Sequence, residues 1–174
     1  MHKAFTIIEQ IIYFALATIV IASTLSFAWS IINDKTKQEH LTNLDSQAML
    51  IFNKLSYAVP RADNIDATTV YSNNPGKLIL NYSDNPSVTI DTYNKQITLA
   101  ENVYTIKKLR ITENSIAHDL TNDETNVANF TITNLTTSAS TIKIDLALNS
   151  LNPSGHKTYA ASNSWTTSLT LRKK

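Results

Sequence analysis

Hydrophobic and polar positions change their rhythm twice along this chain. From Gln10 to Asn33, 24 consecutive residues (QIIYFALATIVIASTLSFAWSIIN) carry no charge. Beyond them, Leu41, Leu44, Ala48, Ile51, Phe52, Leu55 and Val59 recur at three- and four-residue steps. That spacing draws one apolar stripe on a helix, with Lys37, Asp45, Gln47, Asn53 and Lys54 on its other faces. Neither Gly nor Pro occurs between Met1 and Val59, so nothing there obliges a helix to stop. The pattern predicts one continuous helix from about Phe5 to Val59, on the order of 80 Å long. Pro60 should end it, because a proline disfavours the α region in the residue before it.

After a loop over Arg61–Ala67 the period becomes two. Lys77–Tyr82, Ser87–Tyr93, Gln96–Leu99, Val103–Thr112, Asn129–Leu135, Ile142–Leu148 and Trp165–Leu171 read as strands. Turn signals at Asn74–Gly76, Asp84–Ser87, Tyr93–Lys95 and Asn152–Gly155 separate them. Asn114–Asn126 is acidic, weakly patterned and read as a loop. Short strands with short connections imply an α+β fold: one antiparallel sheet, with the amphipathic half-helix covering its buried face.

Composition removes several classes of chemistry. Cysteine is absent, so disulfides, thiolate metal sites and cysteine nucleophiles are excluded. The two glycines, Gly76 and Gly155, cannot form a dinucleotide or P-loop fingerprint. Fifteen basic and 14 acidic side chains give a net charge of +1, which argues against a general nucleic-acid binder, and no direct nucleic-acid site is evident. His2, His40, His118 and His156 are scattered without ligand spacing. No nucleophile–base arrangement is visible, so neither an enzyme nor a cofactor is expected.

The mean hydropathy of −0.14 averages two unlike parts. Of the charged side chains, only Lys3 and Glu9 precede Asp34. About 20 apolar residues cross a ~30 Å hydrocarbon core, so the uncharged run is long enough for a single membrane span. A cleaved secretory signal fits less well. Its apolar region is shorter, about 7–15 residues, and ends in small residues.

Lys3-Ala4-Phe5-Thr6-Ile7-Ile8-Glu9, heading a long apolar helix before a cysteine-free β domain, resembles the type IV prepilin signature. Ala4 stands where the family usually has Gly, Phe5 at the first mature position, and Glu9 at the family's glutamate. The resemblance implies a pilin-like fold: a leader at 1–4, a transmembrane and filament-core helix at 5–33, an amphipathic half at 34–59 and a globular domain at 60–174. It implies a prepilin peptidase cutting between Ala4 and Phe5 and methylating Phe5, with the C-terminal domain held outside the cytoplasmic membrane. It further implies partners: other pilin-like subunits, an assembly platform and its ATPase. The machine would be a type IV pilus, a type II secretion system or a competence filament. Without a Pro or Gly in the apolar helix and without a disulfide loop, the chain looks most like a minor pilin or J-type minor pseudopilin.

Two elements of the helix bear on assembly. A carboxylate at membrane depth costs about 2.5–3.5 kcal/mol on insertion scales, so Glu9 needs a partner. The family supplies the Phe5 amine of a neighbouring subunit. A bond to its own Phe5 amine and snorkelling to the headgroups are the other readings. Thr18, Ala22, Ser26 and Ser30 form a small-residue stripe that allows close helix packing, although small residues are common in membrane helices. Trp29 fits an interfacial anchor. Some pseudopilins bind Ca²⁺ in an acidic loop. Asp119, Asp123 and Glu124 lack EF-hand spacing and are read as a solvated loop. The rival class is a surface binding domain tethered by a signal-anchor helix.

Overall fold

The computed structural model describes residues 6–83, 86–99, 101–136, 141–155 and 159–172. Helix α1 runs unbroken over Ile7–Ala58. Val59 keeps helical angles (φ −61°, ψ −50°) despite the proline that follows it. The chain tightens into a 3₁₀ turn over Val59–Arg61 and leaves the helical region at Ala62. Pro60 thus sits in the first turn of the 3₁₀ segment, where its missing N–H is no loss.

Eight strands follow: β1 (Asn64–Ile65), β2 (Leu78–Asn81), β3 (Val88–Leu99), β4 (Asn102–Glu113), β5 (Ile116–Asp119), β6 (Thr125–Asn134), β7 (Thr141–Ser150) and β8 (Ser162–Thr170). All pairings are antiparallel, in the orders β1-β2-β3-β4-β5 and β6-β7-β8. The layout is α+β and pilin-like, with two sheets in place of the one expected. The alternation was right and the division was not, because β4 and β6 meet through side chains and not through a ladder. The Lys107 N–H donates to Asn126 Oδ1 of β6 at 2.8 Å, and the Leu109 N–H to Thr121 Oγ1, in the link between β5 and β6, at 3.2 Å.

Three other expectations need correction. The turn expected at Tyr93–Lys95 does not exist: Tyr93, Asn94 and Lys95 pair with Lys108, Lys107 and Ile106, so β3 runs straight through. The chain reverses after Leu99, with Glu101 at φ 69°. Second, the supposed loop at Asn114–Asn126 contains β5 and the start of β6. Asn114 (φ 53°) and Ser115 (φ 66°) form a two-residue hairpin turn that a search for glycine overlooks. Third, the loop over Arg61–Ala67 contributes β1, two residues that pair with β2.

The helix stripe does what its spacing predicts. Leu44, Ala48, Ile51, Leu55 and Val59 are buried in one cluster with Leu78, Leu80 and Ile90 of the first sheet and Phe130, Ile132, Ile142 and Ile144 of the second. Leu41 and Phe52 flank it half-buried. Polar latches fix the helix on both flanks. The Asn122 N–H donates to Gln47 Oε1 at 3.0 Å on one side, and Asn163 Nδ2 to Asp45 Oδ1 at 3.0 Å on the other.

The outer edge of β6 is closed by the turn before β2. The Gly76 N–H donates to the Phe130 carbonyl at 2.7 Å and the Ser72 N–H to the Ile132 carbonyl at 2.8 Å. A Cβ at Gly76 would lie 3.1 Å from both the Phe130 carbonyl and Ile132 Cδ1, a tight contact that the bare glycine avoids.

Candidate functional site

The N-terminal half of α1 is the element that no part of the fold covers. Ile7, Ile11, Phe14, Ile19, Leu25, Phe27 and Trp29 are all exposed, as is every described residue from Gln10 to Ile32. Among the described residues this is one helix long and apolar enough to cross a membrane, near the N-terminus. A surface so apolar needs lipid or other helices around it.

Thr6 caps the helix. Its backbone is extended (φ −73°, ψ 149°) and its hydroxyl accepts the Glu9 N–H at 3.3 Å. Glu9 therefore stands in the first turn, where a carboxylate complements the helix dipole. Thr6 and Glu9 have the sequence of a capping box, a local role for both residues that the sequence reading missed. Glu9 is half-buried and makes no ion pair within the described residues. The processing positions Ala4 and Phe5 lie outside them, as do His2 and His156.

Along the small-residue stripe, Thr18, Ala22, Ser26 and Ser30 are all exposed. The Thr18 hydroxyl donates to the Phe14 carbonyl at 2.8 Å and the Ser26 hydroxyl to the Ala22 carbonyl at 3.0 Å. Ser23 and Thr24 likewise bond carbonyls of the preceding turn. These protons are held inside the helix, as a lipid surrounding demands. The stripe is thus fitted for close van der Waals approach more than for hydrogen bonds between helices.

The acidic segment is not the solvated loop that its composition suggested. Lys108 on β4 is almost fully buried, and its Nζ lies 2.7 Å from Asp119 Oδ2 and 2.7 Å from Asp123 Oδ1. Lys95 Nζ adds a second bond to Asp123 at 2.9 Å, and the Tyr93 hydroxyl donates to Asp119 at 2.8 Å. The two carboxylates already surround a cation that the chain carries itself. Burial pulls the Lys108 ammonium down, but the bonds from Asp119 and Asp123 outweigh it and hold the group above the usual lysine range. Burial pushes Asp119 up, and the bonds from Lys108 and Tyr93 reverse this and hold it low. Asp123 is held low by Lys108 and then Lys95.

This arrangement predicts an acid sensitivity. The two carboxylates are depressed in the folded chain, so their contribution is fully present above about pH 4 and lost as pH falls through the depressed values. Both carboxylates are partly solvated, so Lys108→Met should cost about 1–2 kcal/mol at pH 7. It should also flatten the acid limb of a stability-versus-pH curve from chemical denaturation. A variant with the wild-type acid limb would show that the cluster contributes nothing.

At the far end of α1, sequence reasoning also missed a cleft of about 410 Å³ lined by Tyr57, Pro60, Arg61, Tyr82, Glu113 and Arg172. The Arg61 guanidinium lies over the Tyr57 ring at 4.4 Å, and the Tyr82 hydroxyl donates to the Ala58 carbonyl at 2.9 Å. Its residues come from four separate stretches of sequence, so no local motif announces it. Of the remaining histidines, His40 meets the Tyr159 ring edge-on at 6.0 Å and His118 is exposed on β5.

Comparison with family models, curated proteins and solved structures found no match to this chain.

Proposed function

We propose that this chain is a non-enzymatic structural subunit, most like a minor pilin or J-type minor pseudopilin, of a type IV pilus, type II secretion or competence filament. The observation that carries the reading is the continuity of α1. One helix passes without a break from an uncovered apolar half into an amphipathic half seated on antiparallel sheets. A domain that merely needed a tether would not require its anchor to be the central element of its own core.

In this reading the apolar half first resides in the cytoplasmic membrane with the β domain outside, and then joins the apolar helices of neighbouring subunits in the filament. A prepilin peptidase removes Met1–Ala4 and methylates Phe5. The platform and its ATPase drive insertion into the filament. Glu9 pairs with the Phe5 amine of a neighbour and sets register, and Thr18, Ala22, Ser26 and Ser30 let the helices approach.

Processing is the direct test. Intact mass of the protein from native membranes should show loss of Met1–Ala4 and gain of one methyl group. A full-length species in cells that carry the peptidase would overturn the reading.

A further inference from the structure

Long sheet edges invite pairing, and folded proteins usually blunt them with charge, proline, bulges or brevity. In this chain β1 and β5 are short, and the outer edge of β6 is closed by Ser72 and Gly76. The nine-residue edge strand β8 has none of these protections. No charged residue or proline occurs from Tyr159 to Leu171, and the β7–β8 register runs without a bulge.

The direction of its backbone groups follows from two bonds. The Ser164 N–H donates to the side chain of Asn163, and the Arg172 N–H donates to the Pro60 carbonyl at 3.1 Å. Both point away from β7. Alternation along a strand then directs the N–H and C=O groups of Thr166, Ser168 and Thr170 the same way, and these have no backbone partner among the described residues. The window is closed at one end by Asn163 and at the other by Pro60.

On the solvent face, Lys143 and Asp145 of β7 lie opposite Ser168 and Thr166 and neutralise each other at 3.0 Å, whereas on the core side the surface beside this window is apolar. Trp165 and Leu169 face the core opposite Leu146 and Ile142, yet they are only half-buried, whereas their β7 partners are sealed. On the helix above, Asp45 bonds Asn163, and Met49 one turn later is 67% exposed. A strand laid against β8 would satisfy the open groups and cover these side chains together.

We propose that the outer edge of β8 docks an extended, uncharged segment of a different protein chain, with aliphatic or β-branched residues at alternate positions, as a fourth strand. The occupant is not β8 of a second copy in antiparallel pairing. Antiparallel pairing of β8 with itself needs a two-fold axis normal to the sheet, and that rotation reverses any helix lying across the sheet face. Two copies so joined would point their apolar helices in opposite directions, which one membrane cannot hold. This exclusion rests on the membrane-anchored reading above. The free edge selects its partner by backbone pattern, as in strand addition; β8 carries no charge and the Lys143–Asp145 pair beside it is already neutralised, so an uncharged segment is favoured.

The test uses the full chain in detergent micelles and an end-blocked peptide of about seven residues alternating Thr and Val, long enough to span the window. Amide exchange of Thr166, Ser168 and Thr170 should slow about tenfold or more on adding the peptide, while Trp165, Thr167 and Leu169, already paired to β7, stay unchanged. Ser168→Pro removes one outward donor and Ser168→Lys places a charge at the window, each leaving the β7 ladder intact. Both should abolish the slowing. Unchanged exchange in the wild type, equal slowing in both variants, or slowing that tracks protein concentration without peptide would each overturn the proposal. The readout is on amides and not on filaments, so its failure is distinct from failure of the assembly reading.

Discussion

A chain that begins at Arg61 will not fold, whereas one that begins at Asp34 will be a soluble, β-rich monomer. The difference lies in the stripe that α1 lays on the sheets. Leu44, Ile51, Leu55 and Val59 are each 1% exposed or less. Side chains of this kind contribute about 1.5–3 kcal/mol each when fully buried, so the four together contribute about 6–12 kcal/mol. Whole domains are stable by about 5–15 kcal/mol. Removing the stripe also opens the cluster in which Leu80, Ile90, Phe130 and Ile144 are buried. Circular dichroism and a thermal melt on the two fragments decide the matter. A cooperative melt from 61–174 would mean that the sheets hold themselves together.

The second large effect is expected at Glu9. Glu9→Val removes the charge from the first turn but keeps the N–H that Thr6 accepts, so the helix cap survives. Insertion should hold or improve, since the carboxylate's cost, which reaches about 2.5–3.5 kcal/mol at a helix centre and is smaller in the first turn, disappears. In the filament proposed above, incorporation should collapse, because a neighbour's Phe5 amine would be left unpaired. Loss of one partner from a buried pair costs about 3–5 kcal/mol. At about 1.4 kcal/mol per decade that is two to four decades in an association constant. The variant should be membrane-resident and missing from sheared filaments. Glu9→Gln, which keeps a hydrogen-bonding group without charge, should fall between the two. Incorporation of Glu9→Val at the wild-type level would favour the tethered-domain reading.

The helix and its buried stripe were legible because a 3.6-residue rhythm persists from Leu41 to Val59 with nothing to interrupt it. The strands were legible where aliphatic residues alternate, as in Ile142–Leu148. What failed was punctuation. Asn94-Lys95 has turn-like composition, but a ladder partner on β4 for every residue overrides it. Asn114-Ser115 is a turn without glycine, tolerated because Asn accepts positive φ.

Lys108 was the deepest miss. In KKLR it looks like a surface residue, yet it shares a face with Ile106 and lies opposite Leu109, and its acidic partners are 11 and 15 residues away. The cleft at the end of α1 and the open window on β8 depend on which strand lies at an edge, and local sequence does not encode that.

The unbroken helix has a final consequence for how two copies can stand side by side. At roughly 100° per residue, the mean bearing of Thr18, Ala22, Ser26 and Ser30 around the axis falls within about 20° of the mean for Leu44, Ala48, Ile51, Leu55 and Ala58. The small-residue stripe therefore lies directly beneath the β domain. Any parallel helix that nests on that stripe runs, farther along, into space the sheets already fill. Two such subunits cannot sit level; one must be raised along the axis until its own domain clears the other, so close packing on this face builds a staircase and not a flat ring.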